Sequence, residues 1–201
     1  MQHEFTSRNK AHALTTVYGF GDIVTQDLIR RAIDADAPAV NSIYNHYVRT
    51  STATFDTVET DLDQRLSWLR GHGEDHPVLV VVRDGEVVAW GSLTRWASRY
   101  AWRHTVEVST YVDPAAVGGG IGPLLLTELV NVARERGHHA VIAQISADNE
   151  PSLKMGARAG FERVGTLREV GRKFDRWIDL AMLELIIAPA RAVEDQGGEL
   201  V

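Results

Sequence analysis

Apolar and polar positions change period several times along the chain, and each change marks an element. In LIRRAI, residues 28–33, they alternate as on a half-buried strand. Beyond Asp36 the spacing lengthens to that of a helix, with Val40, Ile43, Tyr44 and Tyr47 on one face and Asp36 placed to cap it. TATFDT is short and rich in β-branched residues. In DLDQRLSWLRGHG, Leu62, Leu66 and Leu69 stand at helical spacing ahead of a glycine stop. VLVVVRDGEVVAWGSLT reads as a hairpin turning at Asp84-Gly85, the sharpest local signal in the chain.

TVEVSTYV, residues 105–112, predicts a further strand, followed by a glycine-rich loop and a helix from about 122 to 136 that stops at Gly137. AVIAQIS predicts a strand, Asp148 or Asn149 the cap of a short helix, and FERVGTL and WIDLAMLEL two closing strands. The order implies a mixed α/β (α+β) domain, mostly antiparallel, with one right-handed parallel strand–helix–strand unit. The domain is expected over residues 26–187, after an extension of residues 1–25 without clear period and before a polar, glycine-containing tail, 188–201, expected to be disordered.

Composition narrows the function classes. The chain has 201 residues, enough for one domain with a sizeable core, and 21 Lys+Arg against 27 Asp+Glu give a formal charge of -6. That balance argues against coating nucleic acid or an anionic membrane. Cysteine is absent, which excludes disulfides and thiolate chemistry and is compatible with a reducing compartment. No segment reads as a signal peptide or membrane span, so a soluble, cytoplasmic protein is expected. His72 and His76 stand four apart, but between glycines and before Pro77, as in a loop, so no metal is expected.

The candidate chemistry centres on VDPAAVGGGIGPLLL, where three glycines precede a helix. Main-chain N–H groups without a Cβ in the way, at the positive end of a helix, suit an anion. The phosphate loop of nucleoside triphosphatases requires Gly-Lys-Ser/Thr, whereas Pro123 and Leu124 follow Gly122. The dinucleotide fingerprint places Pro123 or Leu125 where its last glycine belongs. The stretch Val117-Gly118-Gly119-Gly120-Ile121-Gly122 instead resembles the pyrophosphate loop of the GNAT superfamily of acetyl-CoA-dependent N-acetyltransferases, Arg/Gln-x-x-Gly-x-Gly/Ala, at both glycine places, and departs from it at the first.

Within that superfamily the chain is similar to the phosphinothricin N-acetyltransferases and their methionine-sulfoximine-acetylating relatives. IYNHYV, STATFDT, RHTVEVSTYVDP, DNEPSLKM, AGFERVGTLREVGRKFDRW and DLAMLEL resemble stretches of that branch in the same order, over residues 28–186. The resemblance implies the GNAT acyltransferase fold, a mixed sheet splayed into a V with acetyl-CoA in the cleft, a small primary amine as second substrate, and a homodimer. It implies Glu107 as general base, directly or through water; the other reading is an exposed strand carboxylate or ion-pair partner. Thr110, Tyr111 and Val112 would flank the pantetheine arm, Gly118, Gly119, Gly120, Ile121 and Gly122 the diphosphate, Ser152 the coenzyme, and Asn149, a second catalytic residue, would bind coenzyme or substrate from the neighbouring strand end. Asn149 reads equally as a plain helix cap. For the acceptor, the resemblance implies Arg99, Trp102, Ser109, Tyr111, Glu107 and Phe55. A solvated basic loop at RWASRYAWRHT and a core role for Phe55 remain open alternatives.

Departures cluster in this apparatus. Val117 stands where the family has Arg or Gln, Gly119 where a basic residue is frequent, and Pro123 removes an N–H; Gly156, seven residues after Asn149, occupies the place of the family's His or Tyr acid. Two readings follow: an active N-acetyltransferase holding coenzyme mainly through loop amides, or a repurposed member with a different reaction or a binding role in the same cleft.

Overall fold

The computed structural model describes residues 14–18 and 25–187. An eight-stranded sheet runs in the order β1-β2-β3-β4-β5-β6-β8-β7. Its strands are β1 (Leu14–Tyr18), β2 (Thr25–Arg31), β3 (Val78–Arg83), β4 (Glu86–Arg95), β5 (Thr105–Val112), β6 (Ala140–Ser146), β7 (Glu162–Lys173) and β8 (Arg176–Ile186). The helices are α1 (Ala37–Thr50), α2 (Leu62–Arg70), α3 (Ile121–Glu135) and α4 (Glu150–Arg158). Every neighbouring pair is antiparallel except β5 and β6, which flank α3 as the expected parallel unit.

Alternation on the central strands sends side chains into two cores. Leu79 and Val81 of β3 join Leu125, Leu126 and Leu129 of α3 on one face, while Val78, Val80 and Trp90 meet Val40, Ile43 and Leu69 of α1 and α2 on the other. Each fully buried side chain of this kind contributes about 1.5–3 kcal/mol. α3 lies close on the sheet at Gly91, where a Cβ would stand 2.7 Å from Leu129 Cδ1.

The hairpin turn is as the sequence predicts, with Asp84 and Gly85 both at positive φ (52° and 86°). Other expectations shift. Within the stretch read as an N-terminal extension, Leu14–Tyr18 pair with β2 as an edge strand. The predicted tail, residues 188–201, lies outside the described residues. Asp36 precedes α1 but does not cap it; its carboxylate is held by Arg30 at 2.6 and 2.8 Å and by the Ile33 N–H at 2.8 Å, so its lone pairs are spent on the preceding turn. TATFDT forms a loop, whose Thr54 carbonyl accepts from the buried Lys173 Nζ at 2.8 Å. β7 extends to Lys173, well past FERVGTL, through an irregularity between Leu167 and Gly171.

The parallel pairing stops early. β5 and β6 are in register only at Thr105↔Ala140, Val106↔Val141 and Glu107↔Ile142, although β5 continues to Val112 and β6 to Ser146. Beyond Glu107 the sheet is therefore split into a V.

Candidate active site

Glu107 occupies the fork of that V, as the last residue of β5 paired with β6. Its Oε2 accepts from Gln144 Nε2 at 3.2 Å, and across the antiparallel pairing it faces Thr94 of β4. Burial pushes its carboxyl above the ordinary Glu range, with the Gln144 hydrogen bond opposing. Glu107 carries no ion pair among the described residues, so the ion-pair alternative is not what the fold builds.

A cavity opens on either side of the fork. The first lies between the splayed strands, walled by Val108, Thr110 and Tyr111 of β5, Gln144 of β6, and Asn149 and Ser152 at the start of α4. Asn149 is both the helix cap and a cavity wall: its Oδ1 accepts from the Ser152 N–H at 3.3 Å, which leaves the side-chain NH₂ to the cavity. Val112 and residues 118–122 do not border this cavity; the Val112 carbonyl is taken by the Tyr47 hydroxyl at 2.6 Å.

The glycine loop stands beside the first cavity, where a Cβ on Gly122 would come within 3.1 Å of Met155 Sδ, a wall residue. Gly118 and Gly120 are at φ 93° and 76°, which a side chain would strain, and Gly120 is the left-handed residue that starts α3. The first bond of α3 is Leu124 N–H to the Gly120 carbonyl. Among the described residues no acceptor meets the N–H groups of Gly118, Gly119, Gly120, Ile121 or Gly122. A run of unpaired amides at a helix N-terminus fits a diphosphate.

One residue missed by the sequence reading adjoins this loop. Arg83, at the end of β3, forks onto Asp27 through Nε (2.6 Å) and Nη2 (2.7 Å). Its Nη1 has no acceptor among the described residues, and a Cβ placed on Gly119 would stand 3.5 Å from it. No local sequence pattern marks this proximity, because the hairpin and the loop are more than thirty positions apart.

The second cavity, about 240 Å³, lies on the other face of β4 and β5, where alternation directs Ser109 and Tyr111 along with Glu107. Ser92 and Thr94 of β4 form its floor, and Tyr44, Arg65 and Trp68 of α1 and α2 its sides. Arg65, a second residue the sequence reading passed over, is 4% exposed. Its helical position in QRLSWL gives no sign of this, since arginine on a helix is ordinarily solvated.

The expected acceptor residues divide. Ser109 and Tyr111 line the second cavity. Phe55, Arg99, Trp102 and Glu107 itself border neither, although Glu107 adjoins both through Gln144 and Thr94. Phe55 packs on the backbone of β7, where a Cβ on Gly171 would meet its ring at 2.4 Å. Arg99 is exposed in the 96–104 loop, its guanidinium 5.6 Å from the ring of Trp102, itself 42% exposed.

Residues 40–161 match the sequence profile described as the acetyltransferase (GNAT) family. This chain belongs to the GNAT acetyltransferase family.

Its relatives bear out the branch expected from the sequence. It is 38% identical to the phosphinothricin N-acetyltransferase of Streptomyces coelicolor over 78% of this chain and 94% of that protein. It is equally 38% identical to the L-methionine sulfoximine/L-methionine sulfone acetyltransferase of Salmonella typhimurium, over 78% of this chain and 92% of that one. In structure it is similar to the acetyltransferase yncA of Salmonella typhimurium, solved with acetyl-CoA, at a TM-score of 0.78 and 36% identity over 84% of this chain and 98% of that one.

For a GNAT acetyltransferase the departures now have structural settings. Val117 is 64% exposed and Pro123 lies in the first turn of α3, where its missing N–H breaks no helical bond. Gly156 is buried on α4 with Leu183 Cδ2 2.9 Å from where a Cβ would stand. A histidine there must shift the Leu183 side chain, at a typical cost of about 1–3 kcal/mol, although Gly156 itself borders the first cavity.

Proposed function

We propose that the chain moves the acetyl group of acetyl-CoA to the primary amine of a small amino-acid-like acceptor, with Glu107 as the general base. The observation that carries this reading is the place of Glu107: at the fork, bonded to a wall of the first cavity through Gln144 and opposite a wall of the second at Thr94. A base so placed stands between the two chambers, next to where an amine from one would meet a thioester from the other.

The first cavity takes the thioester arm. Because β5 and β6 part after Glu107, the inner edge of β5 from Val108 onward has no strand partner, and its main-chain groups can pair with the amides of an extended arm. The amides of residues 118–122 take the diphosphate, helped by Arg83 Nη1. Acetyl-CoA supplies an activated carbonyl. Glu107 removes the ammonium proton of the acceptor, directly or through one water, and the freed amine forms the C–N bond as the C–S bond breaks. The nitrogen sheds its second proton to water as the amide forms, and the departing thiolate takes up a proton from water, since Gly156 offers no acid.

Release of free thiol from acetyl-CoA, followed against phosphinothricin and L-methionine sulfoximine, tests the reading. Saturable release with both components, and none with the N-acetylated acceptors, is expected. Coenzyme binding without release on any small primary amine would leave only the repurposed alternative.

The proposal includes a homodimer. On β7, β8 and the turn between them, Val164, Leu167, Val170, Phe174 and Trp177 are all about half exposed or more, apolar surface that a second copy would cover. Light scattering on a sizing column should give twice the chain mass. A single-chain mass at micromolar concentration would remove this part of the proposal.

A further inference from the structure

Two buried cations occur among the described residues, Lys173 and Arg65. Lys173 is matched, its ammonium donating to the carbonyls of Thr54 (2.8 Å) and Tyr47 (3.4 Å). The more exposed Arg30 and Arg83 are matched too, each forking onto a carboxylate. Arg65 is different. Its Nε reaches Asn41 Oδ1 at 3.3 Å, and its two Nη groups have no acceptor among the described residues. Its guanidinium lies instead among aromatic rings, 4.5 Å from Tyr44, 4.8 Å from Trp68 and 5.6 Å from Trp90.

Rings stabilise a cation but accept none of its in-plane hydrogen bonds, so a guanidinium held only in this way keeps unspent donors, here at the wall of the second cavity. A second unspent donor borders the same cavity: the indole N–H of Trp90, 2% exposed, has no hydrogen-bond partner. Buried donors of both kinds are ordinarily satisfied. Both residues line the cavity floored by Ser92, Thr94 and Ser109, on the face of the sheet that carries Glu107. The one acid bordering the cavity, Asp56, is exposed and already accepts from the Tyr44 hydroxyl at 2.6 Å.

We propose that Arg65, with the Trp90 indole N–H, is the seat for an oxyanion of the acceptor and so sets which amines this acetyltransferase accepts. The inference rests on the acceptor class proposed above. The oxyanion is either the α-carboxylate or an anionic group at the end of the side chain; both offer the planar or tetrahedral pair of oxygens that a guanidinium fork takes. Amines without such a group leave the donors unmet and are poor acceptors.

Arg65→Gln, compared with wild type on phosphinothricin, its α-carboxamide and L-methionine, separates the two sources. If the fork holds the phosphinate, KM rises about ten- to a hundredfold for the first two and hardly for L-methionine. If it holds the α-carboxylate, the penalty falls on phosphinothricin and L-methionine and spares the carboxamide. Trp90→Phe should repeat the chosen pattern more weakly. A penalty equal on all three acceptors, or none, overturns the proposal and leaves Arg65 as a packing cation. Should Arg65→Gln not fold, Arg65→Lys keeps the charge among the rings but loses the fork, and the same selective pattern, smaller, is expected; a uniform effect overturns it. Wild-type protein that acetylates none of the three defeats the acceptor class instead. Calorimetric titration with inorganic phosphate then decides for Arg65: saturable binding lost in Arg65→Gln upholds the oxyanion seat, and binding that is absent or unchanged rejects it.

Discussion

Glu107→Gln is expected to lower kcat for amine acetylation by about 10²–10⁴ while changing the dissociation constant for acetyl-CoA by less than about twofold. The substitution is nearly isosteric and keeps an acceptor oxygen for Gln144, so the fork of the V stays intact. What it removes is the capacity to take a proton. Because burial raises the Glu107 carboxyl above its ordinary value, the wild-type rate should fall as the pH drops through that raised pKa, at a higher pH than an exposed glutamate would give. The base works only when ionised, so the loss lies on the acid side of the profile. In the variant that acid limb should vanish, leaving a low rate governed by the ionisation of the free amine. Unaltered turnover, or an unchanged acid limb, would take the base role from Glu107 and return it to the reading of a strand carboxylate held by Gln144.

The parts of the site legible in the sequence are those fixed by local chemistry. Asp84-Gly85 gives the hairpin because only a primed turn suits it, and the period of TVEVSTYV puts Glu107, Ser109 and Tyr111 on one face whatever surrounds them. The glycine loop was legible for the same reason, since Gly118 and Gly120 are needed at positive φ. What escaped depends on contacts distant in sequence. Arg65 reads as an ordinary surface helix position until α2 is packed against Trp90, and Arg83 as the end of a strand until Gly119 is brought beside it. The length of β7 was hidden by its irregularity, which breaks the period of two between Leu167 and Gly171. For Phe55 the resemblance offers the pocket and the residue type offers the core, and only tertiary packing on Gly171 decides between them.

The second large effect is expected at the coenzyme. Arg83→Ala should weaken acetyl-CoA binding by about ten- to a hundredfold, the value of one charge-assisted phosphate contact, and should flatten its dependence on ionic strength. Val117 supplies neither charge nor hydrogen bond where the family's loop has Arg or Gln, and the unpaired amides of residues 118–122 supply only partial charge. Arg83 supplies a full one, directed by Asp27, which occupies Nε and Nη2 and leaves Nη1 toward Gly119. The absence of a side chain at 119 is then part of the same arrangement, since a basic residue there would compete with Arg83 for the space. Dephospho-CoA separates the sources: if the variant loses equally for both ligands, the contact is to the diphosphate, and if the loss disappears with dephospho-CoA, it is to the 3′-phosphate. Asp27→Asn controls for the structural half of the pair, because it frees the fork without removing the charge; it should lower the melting temperature and alter coenzyme affinity far less than Arg83→Ala. Melting shifts read the wild-type case directly, since coenzyme at about a hundred times its dissociation constant stabilises by about 2.7 kcal/mol, or about 5–10 °C for a chain of this size. An Arg83→Ala protein that melts lower but binds coenzyme as tightly would reduce Arg83 to a tie between β2 and β3. Wild-type protein without any shift would mean that the loop has changed its guest.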